Sequence, residues 1–178
     1  LDILLHEILG ISVSVTEGLD REIMHMLRTR QLDLLVSRLG VGPDYPDIEE
    51  ERLFTADWSL ITGPRHPLAD RPSVKLSELQ NVQWTLPAGG SAFREQMERV
   101  FSSVGQHWPQ RGIVTNSVQA IKSVVMNSDC VSIISPRLIE VEVALGRLHS
   151  IPLEDVAPLR PVGLVWRRND KLSPIAAR

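Results

Sequence analysis

Apolar positions along the chain follow two periodicities, one typical of helices and one typical of strands. Leucine and isoleucine recur at helical spacing over residues 1–9, and Gly10 can end that helix. Apolar and polar residues then alternate over residues 11–16, which predicts a strand. Asp20 can cap the helix that follows, and the apolar run 32–36 predicts a short buried strand.

The rest of the chain continues this alternation of strand and helix patterns. Further strands are predicted at residues 52–62, 82–86, 112–115, 131–134 and 162–166. Further helices are predicted at residues 76–79, 93–104, 118–125, 138–145 and 172–177, with Ser117 capping one of them. Strands that alternate with helices favour parallel sheets and right-handed crossovers. The pattern therefore predicts an α/β fold.

Composition narrows the class of protein. The 178 residues are 43% hydrophobic and 23% charged, which is enough for one domain or two small lobes. The net charge of −3 comes from scattered charges of both signs, so we expect no DNA-binding face on this chain itself. A single cysteine excludes an internal disulfide and fits a reducing cytoplasm. No apolar run reaches the roughly 18 residues of a membrane helix, and we expect a fragment of a longer cytoplasmic protein.

Motifs for catalysis, metal binding or a cofactor are not recognisable in the sequence. The five histidines lack metal-site spacing; they are His6, His25, His66, His107 and His149. Residues 89–93 approach a nucleophile elbow without its last glycine, and residues 40–42 lack the third glycine of a dinucleotide fingerprint. Cys130 fits a buried small side chain better than a nucleophile. We therefore expect no enzyme activity and no cofactor or metal.

Seven short segments are distinctive in residue type and in order. They are residues 13–18, 30–36, 63–69, 76–79, 132–136, 148–153 and 172–177. Their order resembles the effector-binding domain of LysR-type transcription regulators, and the resemblance covers almost the whole chain. The loop 87–91 resembles in particular the regulators of the galactose-binding-protein type.

This resemblance implies two Rossmann-like lobes joined by two crossover strands, as in type II periplasmic binding proteins. One lobe would comprise residues 1–61 and 167–178, and the other residues 62–166. The family's first strand and its N-terminal winged helix-turn-helix have no counterpart here, so DNA would be bound only through that absent domain. The resemblance also implies a homodimer or homotetramer paired through the first helix and the strand 11–15. One departure is the turn 128–130, where the family has Gly-x-Gly and this chain has Ser-Asp-Cys, so we expect a different backbone geometry there.

Ligands of open parallel sheets lie beyond the carboxyl ends of the strands. The candidate ligand-binding residues at such places are Thr16, Glu17, Gly18, Ser37, Arg38, Gly89, Gly90, Ser91, Thr115, Asn116 and Ser117. Helix N-termini and the guanidinium of Arg38 would suit an anionic metabolite. The alternative is structural: the two serines Ser91 and Ser117 cap helices, the glycine pair makes a turn, and Arg38 meets a surface acid.

The expected function is that of the effector-binding regulatory domain of a LysR-type regulator, which senses a small-molecule effector and controls transcription. One alternative is a solute-binding receptor of a transport system with the same two-lobed fold, which would need a signal peptide. Another is an enzyme on this fold, which would need a catalytic threonine or a cofactor-bearing cysteine in a matching loop. A winged helix-turn-helix upstream of Leu1 would decide for the regulator.

Overall fold

Strands of the described residues form two separate sheets. The structure is a computed structural model, and it describes residues 12–40, 44–55, 57–157 and 160–168. The strands are β1 (Leu35–Arg38), β2 (Ile48–Phe54), β3 (Ser59–Thr62), β4 (Gln83–Leu86), β5 (Gly112–Val114), β6 (Cys130–Ile134), β7 (His149–Pro152) and β8 (Val162–Arg167).

Helices precede or connect these strands. They are α1 (Asp20–Arg28), α2 (Ala92–Ser103), α3 (Val118–Asn127) and α4 (Glu140–Ala144), with 3₁₀ turns at Leu76–Glu78 and Pro136–Leu138. The serine side chains before α2 and α3 cap them, because the Oγ atoms of Ser91 and Ser117 accept the N–H groups of Arg94 and Ala120. The predicted helices 93–104 and 118–125 are therefore confirmed, as is the predicted cap at Ser117.

The order of strands in the larger sheet brings three carboxyl ends to one edge. The smaller sheet has the order β1-β8-β2 with antiparallel pairs, and the larger sheet has the order β5-β4-β6-β3-β7. In the larger sheet β4 is parallel to both β5 and β6, whereas β3 is antiparallel to β6 and β7. The chain segments that leave β4, β5 and β6 consequently start next to each other.

The central strands β4, β6 and β3 of the larger sheet are buried on both faces. Leu60 and Ile61 are neighbours on β3 and are both fully buried, yet they belong to two different core clusters. Successive side chains of a strand point to opposite faces, so one cluster lies on each side of the sheet. The cluster of Leu60 includes Met97 of α2, and the cluster of Ile61 includes Val125 of α3. This packing holds the N-termini of both helices near one edge of the sheet.

Four expectations about local structure are wrong. The predicted buried strand 32–36 is instead β1 at Leu35–Arg38, in which only Leu35 is buried. Residues 12–16 form no strand in the described part of the chain, and Val13 and Val15 are exposed. The predicted strand 52–62 is two strands in different sheets, since β2 pairs with β8 while β3 pairs with β6 and β7. Alternation along a segment carries no information on where its pairing partner changes. Asp20 is the first residue of α1 rather than its cap, because the cap position is Leu19.

The turn 128–130 is built without glycine. The Oγ of Ser128 donates to the carbonyl oxygen of Val124 at 2.7 Å and accepts the N–H of Cys130 at 3.1 Å. The φ angle of Ser128 is −145°, which any residue adopts. The two hydrogen bonds of the Ser128 side chain thus hold a turn that resembles the family's Gly-x-Gly turn in position but contains no glycine. Cys130 is buried at the start of β6, as predicted.

Predictions at the two ends of the chain lie outside the described residues. These are the helix 1–9, the end of that helix at Gly10, the start of the strand 11–15 and the helix 172–177. The predicted lobe boundaries, at 61/62 and 166/167, fall inside β3 and β8. Each of these strands pairs within one sheet only. The division into lobes stays a proposal, in which we move the boundaries to the starts of β3 and β8.

Candidate functional site

A cavity of about 270 Å³ lies between the two sheets, at the carboxyl ends of β4, β5 and β6. It is lined by Gly18, Leu19, Asp20, Arg38, Pro87, Ser91, Phe93, Thr115, Asn116, Val118, Ile121, Ile134 and Leu138. This volume is at the lower end of the roughly 300–1,000 Å³ of small-molecule sites. The edge of the sheet is where the topology of a parallel α/β sheet predicts a ligand.

The smaller sheet contributes one charged wall of the cavity. Helix α1 packs on β1 because Leu27 and Leu35 share a buried cluster with Ile48 and Val165. The first residue of this helix is Asp20, and it reaches the cavity together with Arg38, the last residue of β1. This wall therefore carries both an acid and a cation.

The larger sheet contributes a wall of neutral hydrogen-bond donors. The Oδ1 of Asn116 accepts the N–H of Ala88 at 3.0 Å, which ties the loop after β5 to the loop after β4. The hydroxyl oxygens of Ser91 and Thr115 accept the N–H groups of Arg94 and Ser117, both at 3.1 Å. A hydroxyl that accepts can still donate, and an amide whose oxygen is bonded still has its NH₂ group. The wall can thus offer two hydroxyls and one amide to a ligand.

Arg38 spans from one sheet to the other. Its Nη1 donates to Oε1 of Gln96 at 3.4 Å, and its guanidinium lies 4.9 Å from the ring centroid of Phe93. Burial lowers the pKa of Arg38, and the nearby charge of Asp20 partly offsets this effect. The ordinary pKa of arginine is so high that the guanidinium stays charged. The cavity therefore contains a partly desolvated cation, which attracts anions more strongly than an exposed one would.

Five of the eleven predicted ligand residues line this cavity: Gly18, Arg38, Ser91, Thr115 and Asn116. The other six do not line it: Thr16, Glu17, Ser37, Gly89, Gly90 and Ser117. As ligand contacts all eleven stay predictions. The capping alternative is confirmed for both serines, and it is compatible with a ligand contact at Ser91 because that hydroxyl retains its proton for donation.

The sequence interpretation missed most of the apolar wall and one acid. These residues are Leu19, Asp20, Phe93, Val118, Ile121, Ile134 and Leu138. The prediction considered polar and glycine residues that follow strands, whereas these side chains lie on helices, at the cap position before α1, at the end of β6 or in a 3₁₀ turn. Asp20 was interpreted only as a helix cap. A signal for its place at the site was available in the sequence, because Asp20 lies in the first turn of a predicted helix, just after Gly18.

Other kinds of site find little support in the described part of the chain. No group of three or more histidine, cysteine, aspartate or glutamate side chains there could hold a metal ion. No helix among these residues combines the length and apolarity needed to cross a membrane. The arrangement between the sheets combines hydrogen-bond donors, a cation, an acid and apolar side chains, which suits binding.

Comparisons with known proteins agree with this description. Residues 2–178 match the family described as LysR substrate binding domain. The chain is 31% identical over 171 residues to the RuBisCO operon transcriptional regulator of Allochromatium vinosum, covering 96% of this chain and 55% of the relative. This chain therefore spans about half of that relative's length.

Solved structures share the fold. The CcmR regulatory domain of Synechocystis, in complex with 2-PG, has a TM-score of 0.81 at 19% identity and covers 99% of this chain and 83% of its own. The effector-binding domain of QuiR, in complex with shikimate, has a TM-score of 0.77 at 20% identity and covers 92% of this chain and 76% of its own. These likenesses establish the two-lobed α/β fold of effector-binding domains.

Proposed function

The chain belongs to the family of LysR substrate-binding domains, and on this premise we propose that it senses a small anionic metabolite in the cavity between its two sheets. The observation that carries the proposal is the convergence of Arg38 from one sheet with Ser91, Thr115 and Asn116 from the other. A carboxylate or phosphate group would be favoured here by a cation, by hydroxyl and amide donors, and by the N-termini of α2 and α3.

We propose that the ligand acts by changing the arrangement of the two lobes. A ligand shifts such an equilibrium only if it binds one arrangement more tightly than the other. Arg38 already contacts Gln96 and Phe93 across the cavity. An anion that binds the guanidinium would compete with these two contacts. Its affinity would therefore differ between a lobe arrangement that keeps the contacts and one that breaks them.

The output belongs to the parent protein. We propose that an N-terminal winged helix-turn-helix reads DNA, that the sensing domains pair as a homodimer or homotetramer, and that the protein acts in the cytoplasm. The relative from Allochromatium vinosum is a transcriptional regulator, which supports a regulatory function and the absence of catalysis. The net charge of −3 agrees with DNA binding by another domain.

A thermal-shift screen tests ligand binding. Sugar acids, aromatic acids and phosphorylated metabolites are added at millimolar concentration to the wild type, to Arg38→Ala and to Arg28→Ala. Arg28 is a matched control, since it also lies near an aromatic ring and an acid but outside the cavity. A ligand at 100 times its Kd stabilises the folded state by about 2.7 kcal/mol.

We expect at least one metabolite to raise the Tm of the wild type and of Arg28→Ala, and to leave that of Arg38→Ala unchanged. The proposal is wrong if no metabolite raises the Tm of the wild type. It is also wrong if Arg38→Ala responds as the wild type does. In the full-length protein the same metabolite is expected to change operator affinity, measured by fluorescence anisotropy of labelled DNA.

A further inference from the structure

We propose that Asp20 makes the cavity selective for ligands with a single negative charge and a compact apolar body, as in a small monocarboxylate. This inference rests on the proposed function and adds the class of ligand. Asp20 then determines specificity by excluding dianions, while Arg38 supplies the attraction common to all anions.

The first step is the position of Asp20. It is the first residue of α1 and lines the same cavity as Arg38. The two groups are close enough for the charge of Asp20 to act on the guanidinium of Arg38. A ligand carboxylate that binds Arg38 therefore enters the field of Asp20, and a second negative charge on that ligand is repelled by it.

The second step is the balance of charge. Among the described residues that line the cavity, Arg38 is the sole cation and Asp20 the sole acid. The helices α2 and α3 begin at this cavity, and each N-terminus corresponds to roughly half an elementary positive charge. The N-terminus of α1 adds a similar partial charge, which Asp20 on the same turn outweighs. The sum is about one and a half positive charges, so one negative charge on a ligand is balanced and a second is balanced only in part.

The third step is the apolar side of the cavity. It is formed by Leu19, Phe93, Val118, Ile121, Ile134 and Leu138. Hydroxyl groups of a sugar phosphate facing this side would lose their hydrogen bonds with water without replacement, which is unfavourable. A ring or a branched aliphatic group would instead be buried favourably. The volume of about 270 Å³ limits that group to a small one.

Matched pairs of probes separate charge from shape. One pair is cyclohexanecarboxylate and cyclohexane-1,2-dicarboxylate, and the other is 3-methylbutanoate and isopropylmalonate. Binding is measured by isothermal titration calorimetry at pH 8, where the carboxyl groups are ionised. The chains compared are the wild type, Asp20→Asn and Glu22→Gln. Glu22 is the matched control, because it lies in the same first turn of α1 but does not line the cavity.

We expect the wild type and Glu22→Gln to bind at least one monocarboxylate about tenfold or more tightly than its dicarboxylate partner. Asp20→Asn is expected to reduce this ratio by about tenfold, mostly by binding the dicarboxylate more tightly. An unchanged Tm of Asp20→Asn without ligand excludes a loss of folding as the cause.

Three results would overturn the inference. The wild type binds the dicarboxylates as tightly as the monocarboxylates, or Asp20→Asn has the ratio of the wild type, or no monocarboxylate binds. Titration of 2-phosphoglycolate, which carries three negative charges at this pH, separates this failure from that of the proposed function. If 2-phosphoglycolate binds in an Arg38-dependent manner and the monocarboxylates do not, the sensing function stands and the selectivity inference fails.

Discussion

The guanidinium of Arg38 lies over the ring of Phe93, with 4.9 Å between its central carbon and the ring centroid. Arg38 ends a strand of the smaller sheet and Phe93 belongs to a helix packed on the larger one. A second contact has the opposite arrangement. Here the cation, Arg137, belongs to the part of the chain around the larger sheet, and it lies 4.5 Å from the ring centroid of Phe54 at the end of β2. Two cation–π contacts of opposite arrangement therefore connect the two sheets.

Phe93→Leu is expected to lower the free energy of unfolding by about 1–2 kcal/mol. The substitution keeps an apolar side chain but removes the cation–π contact with Arg38 and the stacking on Trp58, whose ring centroid is 5.6 Å away. Urea unfolding followed by tryptophan fluorescence measures the loss. In a double-mutant cycle with Arg38→Gln, the coupling energy should be favourable by at least about 0.5 kcal/mol. Zero coupling would contradict an energetic link between the sheets.

Asp155 fixes the start of the 3₁₀ turn at Leu76–Glu78. Burial alone would raise the pKa of Asp155, but the N–H groups of Leu76 and Ser77 donate to its carboxylate at 2.7 and 3.1 Å and lower it overall. Asp155→Ala is expected to cost about 1 kcal/mol of unfolding free energy, as the loss of a helix cap does. Asp70→Asn, at an exposed acid of the same region, should change stability by no more than about 0.5 kcal/mol.

The sign of the pH effect follows from the lowered pKa of Asp155. A carboxyl group with a lowered folded-state pKa stabilises the fold above its ordinary pKa of 3.8. This contribution is lost as the pH falls through the folded-state value. The stability difference between the wild type and Asp155→Ala should therefore shrink on acidification below about pH 4. A difference that is constant from pH 7 to pH 2 would contradict these hydrogen bonds.

Local signals in the sequence were sufficient for several parts of the site. A serine before an apolar helical stripe predicts an N-cap, and Ser117 is one. Parallel strands followed by polar residues predicted that Ser91, Thr115 and Asn116 would meet. These inferences need only the helical period, the capping chemistry and the rule that parallel strands end at one edge.

Other parts depended on contacts between distant segments. The pattern over residues 52–62 is continuous, yet β2 and β3 belong to different sheets, because β8 pairs with one and β6 and β7 with the other. The helical pattern predicts Phe93 as a core residue, and its side chain does pack on the core cluster of the larger sheet. Its second contact, with Arg38 across 55 positions of sequence, is created only by the approach of the two sheets.

The ion pair between the buried Lys122 of α3 and the partly buried Glu142 of α4 predicts a dependence of stability on pH. The Nζ of Lys122 donates to Oε1 of Glu142 at 2.8 Å. This hydrogen bond lowers the pKa of Glu142 from its ordinary value of 4.5. The resulting stabilisation is present above pH 4.5 and is lost as the pH falls through the lower folded-state pKa. Lys122→Met should therefore have a lower Tm than the wild type at pH 7, with a difference that shrinks towards pH 3.

Lys75→Met is the control for this prediction, because Lys75 is exposed whereas Lys122 is 8% exposed. Its Tm should follow that of the wild type at every pH. The measurement is a series of thermal melts between pH 7 and pH 3. A Tm difference for Lys122→Met that does not change over this range would refute the assignment of the pH effect to the pair.

Adjacent glycines in the loop before Ser91 should respond differently to substitution. Gly90 has a φ of +88°, whereas Gly89 does not have a positive φ, and a Cβ atom at either position would meet no atom within 4 Å. Gly90→Ala should cost about 1–2 kcal/mol because L-residues disfavour this backbone conformation. Gly89→Ala should be neutral or stabilise by up to about 1 kcal/mol, because it reduces the entropy of the unfolded chain.

Urea unfolding of both alanine variants and of Gly90→Asn tests this difference. Asparagine tolerates the left-handed region better than alanine, so Gly90→Asn should recover part of the stability that Gly90→Ala loses. Because a Cβ atom would have open space at both positions, only the backbone conformation distinguishes them. Equal effects of the two alanine substitutions would mean that the loop changes its conformation to relieve the strain at Gly90.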